Sequence, residues 1–243
     1  MRSTQSVSST STPSPLVNPR VRDERARIGA VALVGGAAAL ALGRALDLGG
    51  GTAAERLQQA SGHHGQITAS ALLAMIGFAA LVPAFWTVAD RVQHRGARLA
   101  TIGALLTALG CSGFVALVAI DDFPPMAAAQ SGSTEVMTGF LQHLDHVPAL
   151  LALGPLAAIG YFFGPFLVTL GARRGGLVPR WLPWGFLVSL VLQPVALVLT
   201  GGPGIALHLV DTACQLVLVV MAVLLARAVL LGDSASHREG VPE

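Results

Sequence analysis

Apolar residues fall along this chain in six long runs: about Ile28 to Leu48, Ile67 to Ala89, Leu99 to Ile120, Val147 to Gly171, Pro183 to Thr200 and Ile205 to Leu231. Each run is near the ~20 residues a helix needs to cross ~30 Å of hydrocarbon at ~1.5 Å per residue. Backbone N–H and C=O groups find no water in the bilayer core, so such runs must satisfy them internally as helices. The expected fold class is all-α: a polytopic membrane protein whose domain 28–231 is a bundle of six transmembrane helices. Residues 1–27 read as a disordered cytoplasmic tail, Ser/Thr/Pro-rich up to Pro19, and residues 232–243 as a cytoplasmic C-terminal tail. The first apolar run lacks a cleavage site and is too long for the core of a secretory signal.

The last run breaks the pattern. His208, Asp211 and Gln215 stand at i, i+3 and i+7, so they share one stripe of a helix, with Thr212 at its edge. An Asp at the bilayer centre costs ~3 kcal/mol, so the stripe is expected to face sister helices or a wet cavity. Gln193, in the fifth run, falls at a depth similar to Gln215, because the turn Gly201–Gly204 between the two runs is short and makes them antiparallel neighbours. The plainer role for both amides is interhelical glue at ~0.6 kcal/mol per contact. Arg44 and Asp47, at i, i+3 near the end of the first run, can pair with each other; Arg44 can instead reach Asp211 if the first and last helices touch.

Composition agrees with the runs. Of 243 residues 53% are hydrophobic and only 12% charged, and the mean hydropathy is +0.67, too apolar for a soluble domain. The 15 basic residues are all Arg, a bias of GC-rich, for instance actinobacterial, genomes. With the N-terminus inside, all of them but Arg44 and Arg56 fall on the cytoplasmic side, so both termini are expected in the cytoplasm of a plasma-membrane protein. Cys111 and Cys214 lie within apolar runs, where a thiol acts as a small hydrophobe and no disulfide is expected.

Outside the runs, Thr52 and Glu55 have capping-box spacing and predict a short helix ending near Ala60, and Thr134 to His143 predicts another after the stop at Asp121 to Pro125. Laying Thr52 on Thr134 brings His64 onto His146, Pro83 onto Pro165, Thr87 onto Thr169, Arg91 onto Arg173, Arg98 onto Arg180 and Gly103 onto Gly185. These matches predict a parallel internal repeat, 52–118 and 134–200, a device found in transporters.

Five histidines, His63, His64, His143, His146 and His208, are placed by this topology at the outer helix ends. Neutral imidazoles with nearby carboxylates suit a divalent metal, and His64, His143 and His146 are the candidate ligands. Haem fits poorly, since no histidine sits deep in a helix. The plainer role is that of interfacial side chains, hydrogen-bonded to loop carbonyls or wet. Pro83, Pro165 and Pro194 predict kinks. No phosphate loop, nucleophile elbow or basic domain is present, so no catalytic residue is assigned and nucleic acid is not an expected partner.

An outer Ala-Glu-Arg-Leu stretch (Ala54 to Leu57), Gly62 to His64, a span ending Leu81 to Trp86 and an inner Asp90-Arg91 turn carry a resemblance. In these features the chain resembles uncharacterised six-span actinobacterial membrane proteins of the domain-of-unknown-function type. The resemblance implies a fold and supplies no site residues. The activity expected from the residues is small-molecule or ion binding or transport through an outward-facing polar cavity built from His64, His146, His208, Asp211 and Gln215, with Gln193 and Arg44 as further ligand contacts. The alternatives are a membrane metalloenzyme or redox protein using the outer histidines, and a non-catalytic subunit whose stripe binds a partner helix. The expected partners are the lipid bilayer, a small ligand, and a second copy or another membrane protein.

Overall fold

A computed structural model of the chain describes residues 19–47, 58–59, 61–92, 94–131, 139, 143, 147–199 and 205–236. Among the described residues all regular structure is helical: α1 (Pro19–Leu46), α2 (His64–Arg91), α3 (Ala97–Ser131), α4 (Pro148–Arg174), α5 (Leu182–Leu199) and α6 (Ile205–Ser236), with a 3-10 turn at His94–Gly96. Five of the six contain segments long and apolar enough to cross a membrane: Asp23–Leu46, His64–Arg91, Ala97–Pro124, Ala152–Arg174 and Leu209–Leu231. The sixth, α5, has 18 residues, or ~27 Å of helix. Large apolar side chains such as Val31, Leu109, Leu156 and Leu209 lie more than 60% exposed on the outside, while the interior is rich in Ala. That distribution suits contact with a lipid bilayer, where a helix is apolar on every face.

The helix ends follow local chemistry. Val147 is extended and Pro148 takes the first helical position of α4, where its missing N–H would have had no helical partner anyway. At the other end Gly176 adopts a φ of 77°, open to glycine at no steric cost. Gly176 N–H donates to the Arg173 carbonyl at 3.0 Å and Leu177 N–H to the Ala172 carbonyl at 2.9 Å, a Schellman closure of α4.

Three ends differ from the sequence expectation. Helix α1 begins at Pro19, so the stretch up to Arg27 is helix and not tail; Ala26 is fully buried against the bundle, and that contact supports the extra turns. Helix α3 does not stop at Asp121 to Pro125 but continues to Ser131. Pro124 removes the N–H that would serve the Ile120 carbonyl, yet a proline φ is helical, and the neighbouring Asp121 and Phe123 are exposed. Helix α6 runs on to Ser236, past the expected end at Leu231. The capping box at Thr52 and Glu55, most of the segment from Thr134 to His143 and the turn Gly201–Gly204 lie outside the described residues.

Glycine decides how the helices pair. Gly29, Gly36 and Gly43 recur every seventh residue along α1 and meet α2 so closely that a Cβ on Gly36 would stand 3.0 Å from the Gly77 carbonyl oxygen, and one on Gly43 3.1 Å from that of Ser70. The α3–α4 seam repeats the device. Gly96 backs onto Gly171, and a Cβ on Gly103 would lie 2.7 Å from the Gly164 carbonyl oxygen. Small residues at heptad spacing let two backbones approach along a shallow, near-antiparallel crossing. Side chains then stitch α1 to α2: Ser70 Oγ donates to the Gly43 carbonyl and Gln66 Nε2 to the Leu46 carbonyl, each at 2.8 Å. The Leu46 carbonyl, at the end of α1, has no helical N–H partner of its own, and the Gly43 carbonyl takes the Ser70 bond in addition to the one from Asp47 N–H at 3.0 Å. The remaining contacts pair α2 with α3 and α4, α4 with α5, α5 with α6, and α6 with α1, so the six helices close on one another.

Candidate functional site

The α1–α6 seam places charge in an apolar bundle. Arg44 Nε forms an ion pair with Asp211 Oδ2 of α6, and Arg44 also pairs and hydrogen-bonds with Asp47 of its own helix. One guanidinium thus faces carboxylates from two helices. Arg44 and Asp47 are each about one-third exposed, 33% and 34%, whereas Asp211 is 15% exposed, so Asp211 is the more enclosed member. The Arg44–Asp211 contact is an ion pair without hydrogen-bond alignment, since Arg44 Nε is buried with no acceptor in line. Its strength is therefore mainly Coulombic and sensitive to the local dielectric.

Below the pair lies a cavity of about 20 Å³. On α1 it is lined by Leu33, Ala37 and Leu40, on α6 by Gln215, Leu218 and Ala222. Both sets follow the helical spacing, and the next position on each stripe is Arg44 on α1 and Asp211 on α6. The ion pair therefore sits one helical turn beyond the cavity, at the end where α1 finishes and α6 begins. Phe85, Tyr161 with Pro165, and Phe186 bring α2, α4 and α5 to the same cavity.

Tyr161 ties the cavity to the aromatic core. Its ring packs edge-on against Phe78 at 5.4 Å and Phe114 at 5.3 Å, while those two stack on each other at 5.1 Å. Three helices hold the ring, which is 5% exposed. Gln215 and Asp211 of α6 both act on the Tyr161 phenol. Gln215 Oε1 is buried without a protein partner.

Of the residues singled out from the sequence, Arg44, Asp211 and Gln215 come together here. His208 lies on α6 one turn from Asp211, and Gln193 lies on α5; both are helical, and their side chains lie outside the described portion. His64 opens α2 half-buried, His143 is exposed, and His146 falls outside the described residues. Among the described residues no three His, Cys, Asp or Glu side chains gather into a metal site. From the sequence, Tyr161 groups with Trp86, Trp181 and Trp184, a set that includes candidate membrane-interface anchors; here it is buried in the bundle, and its position four residues before Pro165 was the available signal. The cavity itself is mostly apolar, in contrast to the wide polar opening expected from the sequence, because Leu, Ala and Phe supply most of its wall. Comparison with known proteins returns no match: no family model, no curated protein and no solved structure is similar to this chain.

Proposed function

We propose that this chain is a six-span plasma-membrane protein that binds and moves an ion or small solute, with the Arg44–Asp211 pair as a charged gate above the α1–α6 cavity. The observation that carries the reading is the ion pair joining two different helices one turn from a water-sized cavity. Ionisable side chains inside a bundle are costly and mark ion or substrate paths. A gate of this kind can open because Asp47 offers Arg44 a second carboxylate on its own helix, so the guanidinium keeps a partner when α6 moves away. Similarity to the uncharacterised six-span actinobacterial proteins and the repeat 52–118 and 134–200 belong to the same reading. One local feature supports the repeat: Thr87 Oγ1 donates to the Pro83 carbonyl and Thr169 Oγ1 to the Pro165 carbonyl, both at 2.8 Å.

In proteoliposomes loaded with a pH-sensitive dye, the protein is expected to collapse an imposed pH gradient several-fold faster than protein-free vesicles, and Asp211→Asn to lose that excess. A wild-type rate equal to that of empty vesicles sinks the ion-transport reading and favours a non-transporting membrane subunit.

The arginine distribution supports a topology with the pair at the extracytoplasmic face and both termini in the cytoplasm. Cys111 and Cys214 are buried, which leaves a low background for thiol labelling. A membrane-impermeant maleimide is expected to label Ser61→Cys on intact cells, and to label Gly175→Cys only after permeabilisation. The reverse pattern would invert the topology.

A further inference from the structure

We propose that the seam between α4 and α5, at the arginine-rich end of the bundle, is a binding site for one anionic phospholipid, its headgroup held by Arg174 and Arg180 and one acyl chain laid past Trp184. The inference needs only that these helices lie in a bilayer, and it is independent of transport.

Charge comes first. Arg173, Arg174 and Arg180 fall between Ala172 and Trp181, and the chain from His146 to Val210, which includes both helices and the turn between them, contains no Asp or Glu. The hairpin therefore carries its cations with no acid of its own to neutralise them. Among the described residues neither Arg174 nor Arg180 has an ion pair or side-chain hydrogen bond with the protein, and both are exposed. Arg91, at the end of α2, is the contrasting case: it is buried and already engaged by the protein. Basic residues clustered just beyond a span attract anionic headgroups.

Position comes second. Val178 and Leu182 are buried on either side of Arg180, so the turn is anchored and its arginines stay near the helix ends. Trp181 and Trp184, each 53% exposed, stand beside them, and indole rings collect at the headgroup level of a bilayer. A free phosphate would use the arginines alone. A phospholipid uses the arginines and the indoles together.

The groove comes third. Gly160, Gly164 and Gly171 of α4 all turn toward α3, and Gly185 of α5 turns toward Met221 of α6. The α4–α5 seam therefore meets through side chains, with the Trp184 ring 5.9 Å from that of Phe166. Trp181, Trp184, Val188 and Val191 recur at helical spacing as one exposed stripe along α5, and Ile159 and Phe163 continue the line of Phe166 along α4. From Trp181 to Val191 the stripe runs ~15 Å, half of a ~30 Å hydrocarbon core and so one leaflet deep. An acyl chain whose headgroup rests on the arginines lies along this length.

The experiment reads tryptophan fluorescence of the full-length protein in phosphatidylcholine vesicles, with an equal minor fraction of the lipid replaced by brominated phosphatidylglycerol or by brominated phosphatidylcholine. Bromine quenches tryptophan on contact, and Trp181 and Trp184 are the exposed pair among the tryptophans, Trp86 being half-buried. The relative binding constant is expected to favour phosphatidylglycerol about five-fold, the worth of one arginine near an anionic headgroup. That preference is expected to vanish in Arg174→Gln, Arg180→Gln, and to persist in Arg174→Lys, Arg180→Lys and in the control Arg25→Gln, Arg27→Gln on α1. Equal quenching by the two lipids in the wild type overturns the proposal, as does a preference that survives in the Arg174, Arg180 glutamine variant or is lost equally in the α1 control. A preference abolished by inorganic phosphate at constant ionic strength would mark a free-anion site and overturn the lipid assignment. The wild-type ratio, the phosphate competition and the α1 control decide the matter even if the glutamine variant of the seam does not fold.

Discussion

Replacing Gly110 by leucine is expected to cost at least about 3 kcal/mol, enough to lower the melting temperature of the purified protein by roughly 6–12 °C. A Cβ at this position would lie 2.5 Å from the Gly160 carbonyl carbon and also collide with the Tyr161 backbone nitrogen. A clash with the end of a side chain is relieved by a rotamer change; a clash with helical backbone is relieved only by moving the helix. Separating α3 from α4 would also loosen the ring contacts that hold Tyr161, so the cavity and the seam should fail together. The comparison is Gly35→Leu on α1, where an added Cβ meets nothing within 4 Å and the position is exposed. That variant is expected to stay within about 0.5 kcal/mol of wild type. Thermal unfolding of the two variants side by side tests the packing; equal melting temperatures would mean that the α3–α4 seam is not built on this glycine.

The second large effect belongs to the charges. Asp211→Ala is expected to destabilise the protein by about 1–3 kcal/mol, because it leaves a part-buried guanidinium with only the carboxylate of its own helix at this seam. Arg44→Met should cost a similar amount by removing the cation that faces Asp211, the more enclosed carboxylate. The double variant Arg44→Met, Asp211→Leu removes both desolvation costs and is expected to recover to within about 1 kcal/mol of wild type. The cycle therefore predicts a coupling energy of about 1–3 kcal/mol, measured by thermal or denaturant unfolding in detergent. Strictly additive losses would show that the two groups sit together without depending on each other. Gradient collapse in vesicles should separate stability from activity, since the apolar double variant regains its fold and not its flux.

The glycine seams carry a lesson about what can be read in advance. Gly29, Gly36 and Gly43, and likewise Gly96, Gly103 and Gly110, are spaced by seven in plain sight, yet a chain rich in Gly and Ala offers many such spacings by composition alone. Which of them faces a partner depends on which helix lies alongside, and that is a property of the assembled bundle. Arg44 is a similar case. Its options, Asp47 or Asp211, were both visible from the i, i+3 spacing and the polar stripe, and the folded protein uses both at once. The histidines show the opposite outcome, since residues that share a membrane face by topology need not share a site; His64 is half-buried at the start of α2 and His143 is exposed.

What this sequence determines by itself is the class of solvent it folds in. Long apolar runs, no lysine, and arginines gathered at alternate breaks establish helices suited to a bilayer, because the cost of exposing a peptide group to hydrocarbon is local and can be summed along the chain. The polar stripe of the last run is legible for the same reason: a carboxylate must be sheltered wherever it occurs. Only the tertiary structure decided that α1 shelters it, that Tyr161 and Gln215 meet below, and that proline-proline in α3 extends a helix it was expected to end. Those outcomes depend on distances between residues far apart in the chain, and helices that are apolar on every face leave their own rotation and neighbours undetermined until the backbones dock.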